Sequence, residues 1–140
     1  MWIVFGLLAA VFAALVAIFG KMGLHGIDTT TATTMRAIVM AIFLLIIILA
    51  QGKIGQIDDI IANKKALYYI ILSGIAGALS WLFYFVALRL GKVSQVAPLD
   101  RLSVIFAIFL AALILGEKIS LKIGIGAAMM AIGAILIALA

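Results

Sequence analysis

Apolar residues run almost unbroken along this chain, and its polar positions fall into short clusters that divide it into five stretches. These are residues 2–19, 32–50, 66–88, 93–115 and 121–139. A bilayer core about 30 Å thick is crossed by about 20 helical residues, so the pattern predicts five transmembrane helices. The first and third stretches carry no charge. The second holds Arg36 in its first turns, the fourth holds Pro98, Asp100 and Arg101, and the fifth has only Lys122 at its mouth. The strands of a membrane β-barrel would alternate apolar and polar residues, which these do not. The first stretch lacks the basic start of a signal peptide and is longer than the usual apolar segment of one. It therefore reads as a retained span. The expected fold class is all-α: a five-helix membrane bundle over residues 1–140, with no extramembrane domain.

The connections are legible too. Gly20, Gly23 and Gly26 break the first helix, and Asp28 with Thr29–Thr31 offers N-caps for the second. Residues 51–65 form the longest loop, with Lys53, Asp58, Asp59, Lys64 and Lys65. Residues 89–92 make a tight link around Gly91, and residues 116–120 another, with Glu117 and Lys118. Trp2, Tyr68 and Tyr69 sit near the expected interfaces, where amphipathic rings anchor a helix.

Composition closes off most other classes. Of 140 residues, 69% are apolar and 11% charged, against about 45–50% and about 25% in soluble domains. A chain this short has no core large enough to hide that surface, and it is too apolar for disorder. The net charge of +5 is scattered between apolar runs and makes no patch for nucleic acid. With no cysteine, disulfides, thiolate metal sites and a cysteine nucleophile are excluded. His25 is the sole histidine and lies in a Gly-rich loop with no second ligand or nucleophile at a credible spacing. No catalytic residue, metal site or cofactor is expected, and the chain does not read as an enzyme.

An odd number of spans puts the termini on opposite sides. One side carries Lys53, Lys64, Lys65, Lys118 and Lys122; the other carries Lys21, Arg89 and Lys92, with Arg36 if it snorkels outward. The positive-inside rule has little bias to act on. Either one orientation is taken, or copies insert both ways and assemble antiparallel. Small residues recur at spacings of three and four at Gly6, Ala10, Ala13 and Ala17, and again at Gly124, Ala127, Ala131, Ala134 and Ala138. Such stripes let helices approach closely in lipid, and contacts within one bundle are the simpler use for them.

Charges at depth carry the functional expectation. Asp100 and Arg101 lie about 10 Å below the surface at 1.5 Å per residue, and each costs several kcal/mol in lipid unless paired or wetted. Arg36 lies at comparable depth. An Arg36–Asp100 pair would fix helix register; alternatively these groups line a wet cavity, the default for intramembrane charge. Ser73, Gly77, Ser80, Trp81 and Tyr84 share a broad face of the third span, although ordinary packing also accounts for Trp81 and Tyr84. Ser94, Pro98 and Arg101 share one face of the fourth span. Pro98 lacks an N–H and is expected to disturb the backbone one turn earlier, near Ser94; irregular backbone at depth is tolerated beside a cavity or protein. All these polar features except Ser73 fall toward one side, as a vestibule would. Lys21 reaches it or snorkels. A mouth with Lys21, Arg36 and Arg101 against Asp100 is net positive and favours an anionic, zwitterionic or lipid-like small molecule.

The positions of Lys21 and Arg36, the run ALRLGKVSQVAPLDRLSVIFAIFLAALILGEKIS (Ala87–Ser120) and the following GIGAAMMAIGAILI together resemble the EamA domain of the drug/metabolite transporter superfamily. The resemblance spans the whole chain and is most specific from Val96 to Ser120. Members usually carry two such five-helix domains, the second inverted, so the resemblance implies that two copies of this chain associate antiparallel to rebuild a ten-helix transporter. It implies a cell (inner) membrane location, and a structural role for Glu117, pairing with loop bases or capping the last helix. Four-helix exporters of the superfamily use a Glu in their first span; this first span has no acid, which leaves Asp100 as the membrane-buried carboxylate.

The leading expectation is a secondary transporter or exporter of small metabolites, working by alternating access as a homodimer and proton-coupled through Asp100. Its substrate and coupling candidates are Arg36, Asp100, Arg101, Trp81, Tyr84, Pro98, Lys21 and Ser94. The alternative is a non-transporting subunit of a lipid-modifying or other membrane complex, with the small-residue stripes as docking surfaces.

Overall fold

A computed structural model describes residues 1–140. It contains seven helices and no strand: α1 (Trp2–Gly23), α2 (Thr29–Ala50), α3 (Gln56–Ala62), α4 (Lys64–Leu90), α5 (Val93–Asp100), α6 (Ser103–Leu115) and α7 (Leu121–Ala138). Five segments are long and apolar enough to cross a membrane: α1, α2, α4, the run Val93–Leu115 that comprises α5 and α6, and α7.

Local chemistry explains most of the helix ends. α1 continues through Gly20 and stops at Gly23, and Gly26 turns the chain with a φ of 72°. Asp28 then caps α2, its Oδ2 accepting from the Thr31 N–H at 2.8 Å and from the Thr31 hydroxyl at 3.1 Å. α6 ends at Gly116, whose φ of 70° is one that only glycine adopts readily. The N–H groups of Gly116 and Glu117 both return to the Ala111 carbonyl. The cap of α7 is the Ser120 hydroxyl, accepting from the Ile123 N–H at 3.3 Å. It takes the capping place expected of Glu117.

Two expectations need correction. The loop at 51–65 is not wholly a loop, because Gln56–Ala62 forms the short helix α3. Ile57, Ile60 and Ile61 lie on one side of it by their spacing and the acids Asp58 and Asp59 on the other, an amphipathic pattern too short to register among the five long runs. The fourth span is not one helix. It breaks after Pro98, not before it: Arg101 donates to the Pro98 carbonyl at 3.0 Å and Leu102 to that of Leu99 at 3.1 Å. These bonds reach back three residues instead of four, a local 3₁₀ turn. Pro98 has no N–H to send to the Ser94 carbonyl, so α5 lacks that rung as well.

The chain forms two compact units. One comprises Met1–Met22 and Ala87–Ala140; the other comprises Gly23–Val86. In the first, α5 packs against α7, and Ala17, Leu88, Val96 and Ala134 are buried. Gly91 permits the tight turn from α4 into α5: a Cβ there would lie 3.0 Å from Val96 Cγ2 and 3.3 Å from the Ala87 carbonyl oxygen. In the second, Leu24, Thr29, Thr33 and Phe85 are buried. The Thr33 hydroxyl donates to the Thr29 carbonyl at 2.7 Å, which lets a polar side chain sit in an apolar place. Large apolar side chains elsewhere face outward, as a surface solvated by lipid tails allows.

Candidate functional site

Each unit holds one concentration of the residues singled out above. In the unit of α2 and most of α4, the helical spacing of Thr29, Thr33 and Arg36 places them along one side of α2, and Arg36 is half-buried. Its guanidinium carbon stands 3.5 Å from the centre of the Trp81 ring and 5.6 Å from that of Phe85. Trp81 and Tyr84 meet edge to face with ring centres 5.5 Å apart, and Trp81 and Phe85 at 6.0 Å. The result is an aromatic cluster with a cation seated on its largest ring, an attraction worth about 2 kcal/mol when desolvated. It joins three predicted residues, Arg36, Trp81 and Tyr84. Phe85 joins them from one helical turn after Trp81, a spacing visible in the sequence.

In the other unit the break in the fourth span is the central feature. Pro98 and Arg101 line an open groove of about 560 Å³ together with Ala13, Ala14, Gly133 and Ala134. The small side chains of α1 and α7 make its walls, so part of the stripes seen in the sequence serves within this unit. α5 is eight residues long, about 12 Å at 1.5 Å per residue, which sets the break near the middle of a bilayer core about 30 Å thick. Asp100, the last residue of α5, is half-buried; Arg101 and Ser94 are exposed.

Lys21 has a different surrounding. Its ammonium donates to the carbonyl of Leu88 and, at 2.9 Å, to that of Gly91. These carbonyls belong to the last turn of α4 and the residue beyond it, where backbone acceptors lack helical partners and the helix dipole favours a cation. Two of its three donors are thus committed to the backbone. No three His, Cys, Asp or Glu side chains converge in a way that would hold a metal ion.

Five membrane-spanning helices, one of them broken at mid-depth beside a groove, define a small polytopic membrane protein of the transporter class. A family model described as the EamA-like transporter family matches residues 1–139, and the chain belongs to that family. It is 39% identical over 137 residues to an uncharacterized transporter encoded in a cobO 3' region of a Sinorhizobium species, covering 98% of this chain and 96% of that one. It is 32% identical over 137 residues to an uncharacterized protein of Methanocaldococcus jannaschii, with the same shares covered. No solved structure matches. The protein is a multi-pass integral protein of the cell membrane.

Proposed function

We propose that the chain is a secondary transporter of small metabolites that works by alternating access as an antiparallel homodimer and performs no covalent chemistry on its substrate. The observation that supports this best is the broken fourth span beside the groove. Transporters build their sites from discontinuous helices near the bilayer midplane, and irregular backbone at that depth is tolerated only where it borders protein or a wet cavity. The break between α5 and α6 also supplies a hinge.

The dimer in this proposal rests on the repeat plan of such transporters. Rocking about a midplane site uses two repeats of opposite orientation, and this sequence holds one five-helix repeat. Both relatives are matched over 96% of their length, so each is also one repeat long. The near balance of basic residues between the two sides removes the usual barrier to inserting copies both ways. Asp100, at the C-terminal end of α5, is the coupling carboxylate in this reading. Pro98 and Arg101 border the substrate path in their unit, and Arg36, Trp81 and Tyr84 are substrate-contact candidates in theirs. Lys21 acts as a positioning residue at the end of α4, and Ser94 as a polar contact on the exposed side of α5.

Reconstitution tests the proposal. Proteoliposomes of the purified chain, assayed with a panel of labelled metabolites under an imposed pH gradient, should show saturable flux that Asp100→Asn uncouples from pH. Flux equal to that of empty liposomes, with co-purification of an unlike membrane chain, would overturn it in favour of a non-transporting subunit. Flux in Asp100→Asn unchanged across pH would remove the coupling role alone. Reporters fused to the two termini should each be found on both sides of the membrane; one fixed orientation would remove the antiparallel dimer.

A further inference from the structure

The Arg36–Trp81 pair is an unfinished binding site, and we infer that it takes the oxyanion of its ligand, a carboxylate or phosphate, on the free edge of the Arg36 guanidinium. This deepens the transporter reading by naming the charged end of the substrate, and it rests on that reading only for the step from binding to transport.

The geometry leads there in three steps. A guanidinium carbon 3.5 Å from the Trp81 ring centre is at stacking distance, and edge-on insertion at that distance would drive its nitrogens into the ring. The group therefore lies flat on the indole. All five N–H donors of a guanidinium lie in its plane, so they point outward past the rim of Trp81 and none is used by the ring. Along the same side of α2 the polar neighbours are Thr29 and Thr33, and neither engages them by a side-chain hydrogen bond: the Thr33 hydroxyl donates to the Thr29 carbonyl.

Depth makes the vacancy costly. Arg36 lies seven residues into α2 and Trp81 nine residues before the end of α4, which at 1.5 Å per residue puts both about 10–13 Å inside the span. A guanidinium there without acceptors costs several kcal/mol. Stacking satisfies the charge but none of the donors. Two parallel N–H donors match the two oxygens of a carboxylate or phosphate, the pairing for which the guanidinium fork is shaped. The indole fixes the plane of that fork beforehand, so little rotamer freedom is lost on binding.

Trp81 reports its own site. The chain has two tryptophans, and Trp2→Phe leaves Trp81 as the sole indole. This variant in phosphatidylcholine nanodiscs is titrated, at constant ionic strength, with four-carbon probes of matched length: succinate, 1,4-butanediol and putrescine, with methylphosphonate as the phosphate analogue. A saturable change in Trp81 emission is expected with succinate or methylphosphonate and not with the diol or the diamine. Arg36→Lys, which keeps the charge and loses the planar fork, should weaken it about tenfold or more, and Arg36→Ala should abolish it. Nanodiscs doped with phosphatidylglycerol separate the sources. A shift without added probe assigns the site to a lipid phosphate, and a shift only with soluble anions assigns it to a metabolite. No response to either anion in both lipid mixtures, an equal response to putrescine, or full retention in Arg36→Lys would overturn the inference. Anion binding without flux in proteoliposomes would leave the site standing and sink the transporter reading; flux of cations alone, with a silent Trp81, would do the reverse.

Discussion

Lys21 donates to the carbonyl of Gly91 at 2.9 Å, tying the last turn of α1 to the residue that follows α4 and begins the turn into α5. The same ammonium holds the Leu88 carbonyl, and Leu88 is wholly buried. One charged side chain thereby satisfies two backbone acceptors that lipid could not. Lys21→Met keeps the length and apolar stem and deletes the donors. Charge-assisted bonds contribute about 1.5–3 kcal/mol each, so the variant should lose roughly 3 kcal/mol of stability. A clear drop in the thermal midpoint of the purified protein in micelles checks this, and Lys21→Arg should recover part of it.

Gly91 is constrained from its other side by Val96 and the Ala87 carbonyl. Gly91→Ala brings a methyl group to 3.0 Å from Val96 Cγ2 and 3.3 Å from the Ala87 carbonyl oxygen, and overpacking costs about 1–3 kcal/mol where the neighbours do not give. The variant should therefore be less stable than wild type by the same micelle measurement, and Val96→Ala in the same chain should relieve it. A double variant no better than Gly91→Ala alone would place the strain at the carbonyl.

The cap on α2 is a smaller effect. Asp28→Ala removes the acceptor for both groups of Thr31 and should cost about 1 kcal/mol. Because the cap lies at the helix entrance, away from Arg36, anion-dependent emission of Trp81 should be retained.

Pro98→Ala returns an N–H to the fourth span and should let α5 and α6 join as one helix. Stability is expected to hold or rise, since proline inside a helix is disfavoured by about 3 kcal/mol relative to alanine. Flux through proteoliposomes should fall by an order of magnitude if the break is the hinge. Amide exchange at residues 101–102 gives the direct reading: faster in the wild type, slower in the variant.

The groove offers a test that leaves the fold alone. Gly133 lines the groove, and a Cβ there meets nothing within 4 Å, so Gly133→Leu is the substitution expected to fill the groove at least cost to the packing. Wild-type stability with loss of flux is the expected outcome. Full flux with a leucine there would remove the groove from the substrate path.

The spans were legible because their signal is local. Twenty apolar residues in a row predict a crossing helix whatever the rest of the chain does, and Asp28 beside a run of threonines predicts a cap from a few residues. The positions worth watching were legible for a related reason: Arg36, Pro98, Asp100 and Arg101 are conspicuous because lipid penalises them. α3 escaped because seven residues are too few for a span and its polar side blends with the flanking lysines.

Partners are another matter. In water, an amphipathic stripe shows which side of a helix is buried. In lipid, interior and solvent are both apolar, so a span such as α4 carries no such stripe; its letters mark a face of small, hydroxyl and aromatic residues but not what that face meets. Sequence by itself determined the number of crossings, the scarce charges at depth and the likeness to one transporter repeat. Only the tertiary structure decided that Lys21 closes the end of α4, that Arg36 lies on Trp81 with its donors open, and that the fourth span breaks after its proline beside a groove. The two contacts and the groove depend on atoms brought together from distant parts of the chain, and packing geometry sets those distances; the break is local, but its position on the far side of the proline is seen only in the structure.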